Sequence, residues 1–343
     1  MEPALIEKLK QKIVSENLPP TIADKLLQEV LRIELSLKSN KFTPEIDHQI
    51  TYVNFMSELP WAKTNQDVLD INRARTILDK NHFGLDSVKE RILEYLSVLI
   101  LNKQKGTNPP IPVLTFVGLP GSGKTSLAYS IAESLNRPII RIPFGGLGSA
   151  SQLRGESRIK TDAEAGLIIK SIKRAGVKNP VLLLDELDRI TEAARADVMG
   201  VLVELLDPEQ NMSFTDHYLD MPFDLSGVLF VATANNTGNI ATAVLDRLEV
   251  IEMPFYTDEQ KIIIGKSYLF PQALKNAGLE GVVVSIEPAL WEKIVRPLGF
   301  DGGIRSLKRN IDSVVRKIAM QVVAGAKGPY NINDANIGQY ISG

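Results

Sequence analysis

The sequence predicts an α/β fold: a parallel sheet flanked by helices, preceded by a small helical bundle and followed by a helical segment. Three observations predict it. Residues Gly118-Leu119-Pro120-Gly121-Ser122-Gly123-Lys124-Thr125 spell G-x-x-x-x-G-K-[ST] between an apolar run, Ile111 to Val117, and a stretch of helical apolar spacing, Thr125 to Leu135. Strand, glycine-rich loop and helix therefore follow one another. From about Ile71 to Met253 helix-like and strand-like segments alternate, with strand candidates at 112–117, 139–142, 180–184 and 228–233 and helices at Asp162–Ala175 and Arg195–Leu206. That rhythm belongs to parallel strands joined by helical crossovers. On either side, Pro3 to about Trp61 and the chain beyond Phe255 lose it and read as mainly helical.

In the first segment Ile22, Leu26, Val30, Ile33 and Leu37 share one helical stripe, which a Ser39-Asn40 break ends. A third helix is expected after Thr43 as N-cap and Pro44 as first residue, with Ile46, Ile50 and Val53 inward. Pro19-Pro20, Pro44 and Pro60 interrupt any continuous rod, which favours a three-helix bundle over one long partner-binding helix. In the last segment Thr257-Asp258 can start one helix, Gly281–Ile286 is β-rich, and Gly302-Gly303 precede a helix running from Ile304 toward Ala324. The expected domains are 1–70, 71–253 and 254–343, with no internal repeats.

Composition bounds the chemistry. Of 343 residues 44% are hydrophobic and 23% charged, as in a soluble globular protein, and the net charge of −2 comes with no basic run, so nothing in the composition advertises a nucleic-acid footprint. The absence of cysteine excludes disulfides, thiolate catalysis and cysteine-ligated metals. His48, His82 and His217 are too scattered for metal-ligand spacing and suit packing or surface roles. With no signal-like apolar start and no bilayer-spanning apolar run, a cytoplasmic location is expected, or the mitochondrial matrix or another organelle lumen in a eukaryote.

The glycine-rich word is a phosphate-binding loop. Glycines 118, 121 and 123 let backbone N–H groups close on phosphates where side chains would collide, Lys124 reaches the terminal phosphates, and Thr125 offers a hydroxyl to Mg²⁺. Downstream, Val181-Leu182-Leu183-Leu184 delivers Asp185 and Glu186 at a strand's C-terminal end, where open α/β sheets bind ligands. Asp185 would hold magnesium and Glu186 would orient the attacking water, which points to hydrolysis of ATP.

Beyond these motifs the chain resembles the Lon family of ATP-dependent AAA+ proteases. The resemblance lies in Leu205-Leu206-Asp207-Pro208-Glu209-Gln210-Asn211, Phe214-Thr215-Asp216-His217-Tyr218-Leu219-Asp220, Ala232-Thr233-Ala234-Asn235 and Leu245-Asp246-Arg247-Leu248-Glu249-Val250-Ile251. His82-Phe83-Gly84-Leu85 with Val88-Lys89-Glu90-Arg91-Ile92 resembles the family's lead-in to its ATPase domain. The resemblance implies an AAA+ nucleotide domain with a helical lid, a hexameric ring, and ATP hydrolysis coupled to unfolding and delivery of unfolded or damaged proteins. It also implies residue roles: His82, Phe83 and Gly84 beside the nucleotide, Asn235 as sensor 1, Arg247 as the arginine finger acting in trans, and Arg305 as sensor 2. Guanidinium groups at such places suit a charge-spreading phosphoryl-transfer transition state.

Two departures stand out. The family follows this module with a peptidase domain bearing a Ser-Lys dyad, whereas the chain ends at Tyr340-Ile341-Ser342-Gly343, about where that domain should begin. No residue here is assigned to proteolysis, and a fragment and a naturally peptidase-free relative both fit. In Arg154-Gly155-Glu156-Ser157-Arg158-Ile159-Lys160-Thr161-Asp162-Ala163-Glu164-Ala165-Gly166 the family places an aromatic that grips substrate in the central pore, and here Lys160 stands instead. A stand-alone remodelling ATPase and a nucleotide-gated scaffold are the competing readings, and a solvated loop is the competing reading of Lys160.

Overall fold

The structure, a computed structural model, describes residues 2–16, 18–39, 44–107, 111–160, 162–296 and 303–341. Asn40 of the expected break, Thr43 as expected N-cap, Thr161, Gly302 and the terminal Ser342-Gly343 lie outside the described residues. Helices α1 (Glu2–Ser15), α2 (Pro20–Ser39) and α3 (Pro44–Ser57) pack on one another. All five residues of the α2 stripe are buried, as are Ile46 and Val53. Ile50 is only half-buried, because the inner face of α3 is centred on Val53, Met56 and Tyr52 and leaves Ile50 at its rim.

Next come α4 (Ile71–Asn81), α5 (Asp86–Gln104), β1 (Val113–Val117), α6 (Lys124–Leu135), β2 (Ile139–Pro143), α7 (Ser151–Arg154), α8 (Leu167–Ala175) and β3 (Val181–Asp185). They are followed by α9 (Arg195–Leu205), α10 (Pro208–Asn211), β4 (Phe214–Asp216), β5 (Met221–Phe223), β6 (Leu229–Ala234), α11 (Thr242–Leu245) and β7 (Leu248–Glu252). The parallel five-stranded sheet has the order β2-β3-β6-β1-β7. Ile139 pairs with Val181 and Val181 with Leu229 in its parallel registers. Every residue of β3 is buried, as expected of a sheet covered on both faces.

The expected helix Asp162–Ala175 starts only at Leu167. Gly166 is extended, and its N–H donates to the buried Asp216 carboxylate at 2.7 Å, which takes the preceding residues out of helical geometry. Strand β7 and the β4–β5 hairpin lay outside the expected strands. The last segment holds α12 (Asp258–Ile264), a π turn over Gly265–Leu269, α13 (Phe270–Asn276), β8 (Val284–Ile286), α14 (Leu290–Val295), α15 (Arg305–Val323), β9 (Tyr330–Ile332) and α16 (Ile337–Tyr340). The β-rich stretch at 281–286 finds its parallel partner in β9, and Trp291, Leu307, Ile311, Val314 and Ile318 fill the core beneath.

Packing divides the chain into two compact units, one of Met1–Asp70, Leu99–Thr115 and Ile131–Glu249, the other of Ile71–Val98, Phe116–Ser130 and Val250–Gly343. In the first, Asp67 and Arg137 form a buried bidentate pair at 2.7 and 2.8 Å. Burial alone would raise the Asp67 carboxyl, but Arg137 and Lys103 outweigh it and hold the group below its usual range. In the second, His82 is buried after α4, its Nε2 2.9 Å from the Ser130 hydroxyl, to which the Asn81 amide also donates at 3.0 Å.

Burial, with the charge of Lys89, pushes the His82 imidazole from 6.5 down to about 4, against a smaller opposing bond to the Ser126 backbone. The neutral ring is the folded form. Unfolded chain takes up the proton below pH 6.5 and folded chain only below about 4, so stability falls as pH drops through that window. The loss reaches about 3 kcal/mol at its acid end. Urea unfolding at both ends of the window should show it, and His82→Gln should flatten it. Identical pH dependence in the two proteins would exclude His82 as the source.

Candidate active site

The phosphate loop lies in the second unit. Chain leaving β1 runs through Gly118–Gly123 and enters α6 at Lys124. Gly121 and Gly123 have φ of +83° and +97°, open only to glycine at low cost. Gly118 is small for a different reason: a Cβ there would meet the Met253 side chain at 2.7 Å, where the Met253 N–H donates to the Val117 carbonyl. Lys124 Nζ donates to the carbonyls of Gly118 at 2.6 Å and Leu119 at 3.0 Å, so the ammonium already closes the loop. Leu119 and Pro120 are exposed, and Thr125 is half-buried in the first turn of α6. The Ser122 hydroxyl is buried and has no hydrogen-bond partner among the described residues.

Three further segments of this unit meet the loop or its helix. Ile304 N–H donates to the Gly121 carbonyl at 3.0 Å, and a Cβ on Gly303 would stand 2.3 Å from the Pro120 carbonyl. Arg305, first residue of α15, has its backbone N 3.0 Å from where a Gly121 Cβ would sit. Tyr256 OH lies 3.5 Å from the Ser122 carbonyl, and its burial raises the phenol to about 12, keeping it protonated. His82 contacts α6, Phe83 is half-buried, and Gly84 and Leu85 turn the chain with φ of +63° and +60°. Gln260 of the α12 capping box, closed by Thr257, reaches Gly84.

The carboxylates lie in the first unit. Asp185 ends β3, nearly fully buried, and both its oxygens are engaged: Oδ2 accepts from Arg141 Nε at 2.5 Å and Oδ1 from the Thr233 hydroxyl. Thr233 also accepts the Glu186 N–H at 3.0 Å. Glu186 itself sits in left-handed backbone, φ +61° and ψ +51°, which costs a non-glycine residue about 1 kcal/mol or more, and its side chain is partly exposed beside Gly145. Its carboxylate pairs with Arg189 at 3.3 Å. Asn235 follows β6, and the Asp188 carboxylate fixes its N–H at 3.0 Å.

Arg247 is tethered within its own chain, NH2 to Asp207 at 2.9 Å and NH1 to the Ala243 carbonyl at 2.8 Å. The Arg247 hydrogen bond holds the Asp207 carboxyl below its usual range, and the same carboxylate caps α10. Lys160 is exposed and pairs with Glu156 at 3.1 Å. Below it, Arg158 stacks on the Tyr52 ring at 3.8 Å.

The loop fits the phosphates of a nucleoside triphosphate: it combines left-handed glycines, a lysine at a helix start and a buried hydroxyl left without a partner among the described residues. Reading the sequence missed Arg141, Thr233, Asp188 and Tyr256. The signal for Thr233 was present, two residues before Asn235 on an expected strand, whereas a lone arginine on β2 carried none.

Residues 114–254 match the family described as "ATPase family associated with various cellular activities (AAA)", and residues 275–330 match the "Lon protease AAA+ ATPase lid domain". The Lon protease of Lawsonia intracellularis is 46% identical over 292 residues, covering 85% of this chain and 35% of that protein. That of Trichlorobacter lovleyi is 41% identical over 337 residues, 98% of this chain and 40% of its own. Lon protease 1 of Thermus thermophilus is 43% identical over 314 residues, 92% and 39% respectively. The chain thus spans 35% to 40% of the length of these relatives. With an AAA ATPase domain, a Lon lid and this identity over most of its length, the chain belongs to the Lon family.

Proposed function

We propose that this chain hydrolyses Mg²⁺-ATP and couples the reaction to unfolding and translocation of protein substrates within a Lon-type protease, as a hexameric ring in the cytoplasm. The observation that carries the reading is the phosphate loop, with its buried unpartnered Ser122 hydroxyl and with Arg305 at the head of α15 against Gly121. Among the described residues no helix is long and apolar enough to cross a membrane. Organisation into a bundle (1–70), a nucleotide domain (71–253) and a lid (254–343) belongs to the same reading.

Backbone N–H groups of residues 119–123 and Lys124 would hold the phosphates, with His82, Phe83 and Gly84 beside the base. Thr125 and Asp185 would hold magnesium, and Arg141 would have to release one Asp185 oxygen to admit it. Bound magnesium supplies charge neutralisation across the terminal phosphates. Glu186, its backbone held in the left-handed region, would orient the attacking water together with Asn235, whose N–H Asp188 fixes. Arg305 would reach the terminal phosphates from the lid, and Arg247, released from Asp207, would act on a neighbouring copy's nucleotide. A remodelling ATPase that does not thread its substrate is the second reading. It is favoured by Lys160, a cation paired with Glu156 where an aromatic grip is expected.

Three outcomes test this. Lys124→Ala should abolish tight ATP binding, whereas Glu186→Gln should bind ATP normally and lose at least about a hundredfold in turnover. Titration with a fluorescent nucleotide and phosphate release would measure both, and full hydrolysis by Glu186→Gln would remove that residue from catalysis. Arg247→Ala should keep nucleotide affinity within about threefold and cut turnover by about a thousandfold or more, as loss of an arginine finger does. Normal turnover under assembling conditions rejects the finger role. Lys160→Tyr should raise ATP-dependent unfolding of a tagged model protein with basal ATPase nearly unchanged. Equal unfolding by Lys160→Tyr, Lys160→Ala and the parent would favour the second reading.

A further inference from the structure

Helix α2 carries two leucine-bearing faces, one buried and one exposed. Its inner stripe is buried against α1 and α3. Its outer face displays Leu27, Leu31 and Leu35 at 38%, 53% and 57% exposure. These lie one helical turn apart on a single line, because residues four apart stack on the same side. Surface leucines scattered singly need no explanation, but three in register on one helix make a contiguous apolar ridge. At each end the line closes on a charge: Asp24, three residues before Leu27, and Lys38, three residues after Leu35. Both are exposed.

The spacing 24-27-31-35-38 is the same read from either end, with Leu31 at its centre. The charges are not: one end is acidic and the other basic. A second copy of α2 laid antiparallel across Leu31 would set Leu31 on Leu31, Leu27 on Leu35, and Asp24 on Lys38 at both ends. A parallel arrangement would set Asp24 on Asp24 and Lys38 on Lys38. We propose that the outer face of α2 pairs two copies of this chain in an antiparallel, two-fold contact centred on Leu31. Such a contact is self-complementary and closes at two, unlike the head-to-tail contact that builds a ring. Lys38 already bonds Glu34 at 2.8 Å in its own chain, which holds its ammonium near the ridge and leaves donors for Asp24 of the other copy.

The ridge from residue 24 to residue 38 is about 21 Å long, short of the area of a standard stable interface, so the pair is weak, with a dissociation constant on the order of tens of micromolar. The chain has no cysteine, so single introduced thiols report the geometry cleanly. With a short bismaleimide on the nucleotide-free 343-residue chain, Leu31→Cys should cross-link to itself, and Asp24→Cys mixed with Lys38→Cys should give the mixed dimer. Asp24→Cys alone should give little. In sedimentation velocity from about 1 to about 200 μM, the parent should pass from monomer to dimer. Leu31→Asp and Asp24→Lys should each weaken dimerisation about tenfold or more, and Asp24→Lys with Lys38→Asp should restore it. All substitutions fall on exposed positions, and unchanged circular dichroism would show the bundle intact. Self-cross-linking of Asp24→Cys as complete as that of Leu31→Cys would overturn the antiparallel pairing. A parent that stays monomeric throughout, with Leu31→Cys uncross-linked, would overturn the proposal and assign the ridge to a different partner.

Discussion

The constraint on which the second unit depends is close approach of backbone to the loop 118–123, where no side chain has room. Three excluded Cβ positions enforce it. One on Gly118 would strike Met253, one on Gly121 would strike the start of α15, and one on Gly303 would strike the Pro120 carbonyl. Two backbone hydrogen bonds close these approaches, Met253 to Val117 and Ile304 to Gly121. Buried backbone groups must be paired, so these bonds fix where β7 ends and where α15 starts relative to the loop. The loop is thereby held by neighbours on both sides, which fix its left-handed glycines in place. Ile311 of α15 shares a core with Trp291 of α14, so the same approach couples the hydrophobic packing of these helices to the phosphate-binding backbone.

In the first unit buried carboxylates take the corresponding role. Asp185, Asp188, Asp216 and Asp67 are each largely withdrawn from water, and an unsatisfied carboxylate there would cost several kcal/mol. Asp185 is satisfied by Arg141 and Thr233, and Asp67 by Arg137 and Lys103. Asp216 accepts three backbone N–H bonds, from Gly166, Tyr218 and Leu219, yet burial is its largest influence and raises its carboxyl. Those bonds anchor both the base of the segment carrying Lys160 and the β4–β5 turn, where the Tyr52 hydroxyl of α3 also donates to the Leu219 carbonyl at 3.0 Å. Arg158, one residue from the exposed Ile159, leans on the same Tyr52 ring. The N-terminal helices are thus joined to the segment that bears Lys160 through a cation, an aromatic ring and one buried carboxylate.

Much of this was legible in residue order. The spacing of glycines before Lys124-Thr125 encodes a local backbone path, and the apolar run before Asp185-Glu186 encodes a strand buried on both faces. The apolar period of α2 and the proline after Thr43 likewise announced helices that the structure contains. Less legible were elements whose geometry is set from afar. Residues 162–166 carry helix-compatible side chains, but Asp216 claims the Gly166 N–H and leaves them outside the helix. Strand β7 follows a short helical turn without a break in composition, and β9 is a strand only because β8 is its partner.

The sequence by itself therefore determined the layered α/β plan, the phosphate loop, the paired acids and the absence of thiol chemistry, because each is written in local spacing or in composition. Tertiary structure alone decided that Arg141 is the cation on Asp185, that Asp207 holds Arg247, and that Ile304 and Arg305 stand over Gly121. Those choices follow from strand register and from which distant backbone groups need partners. Such pairings join residues tens to hundreds of positions apart and leave no periodic trace along the chain.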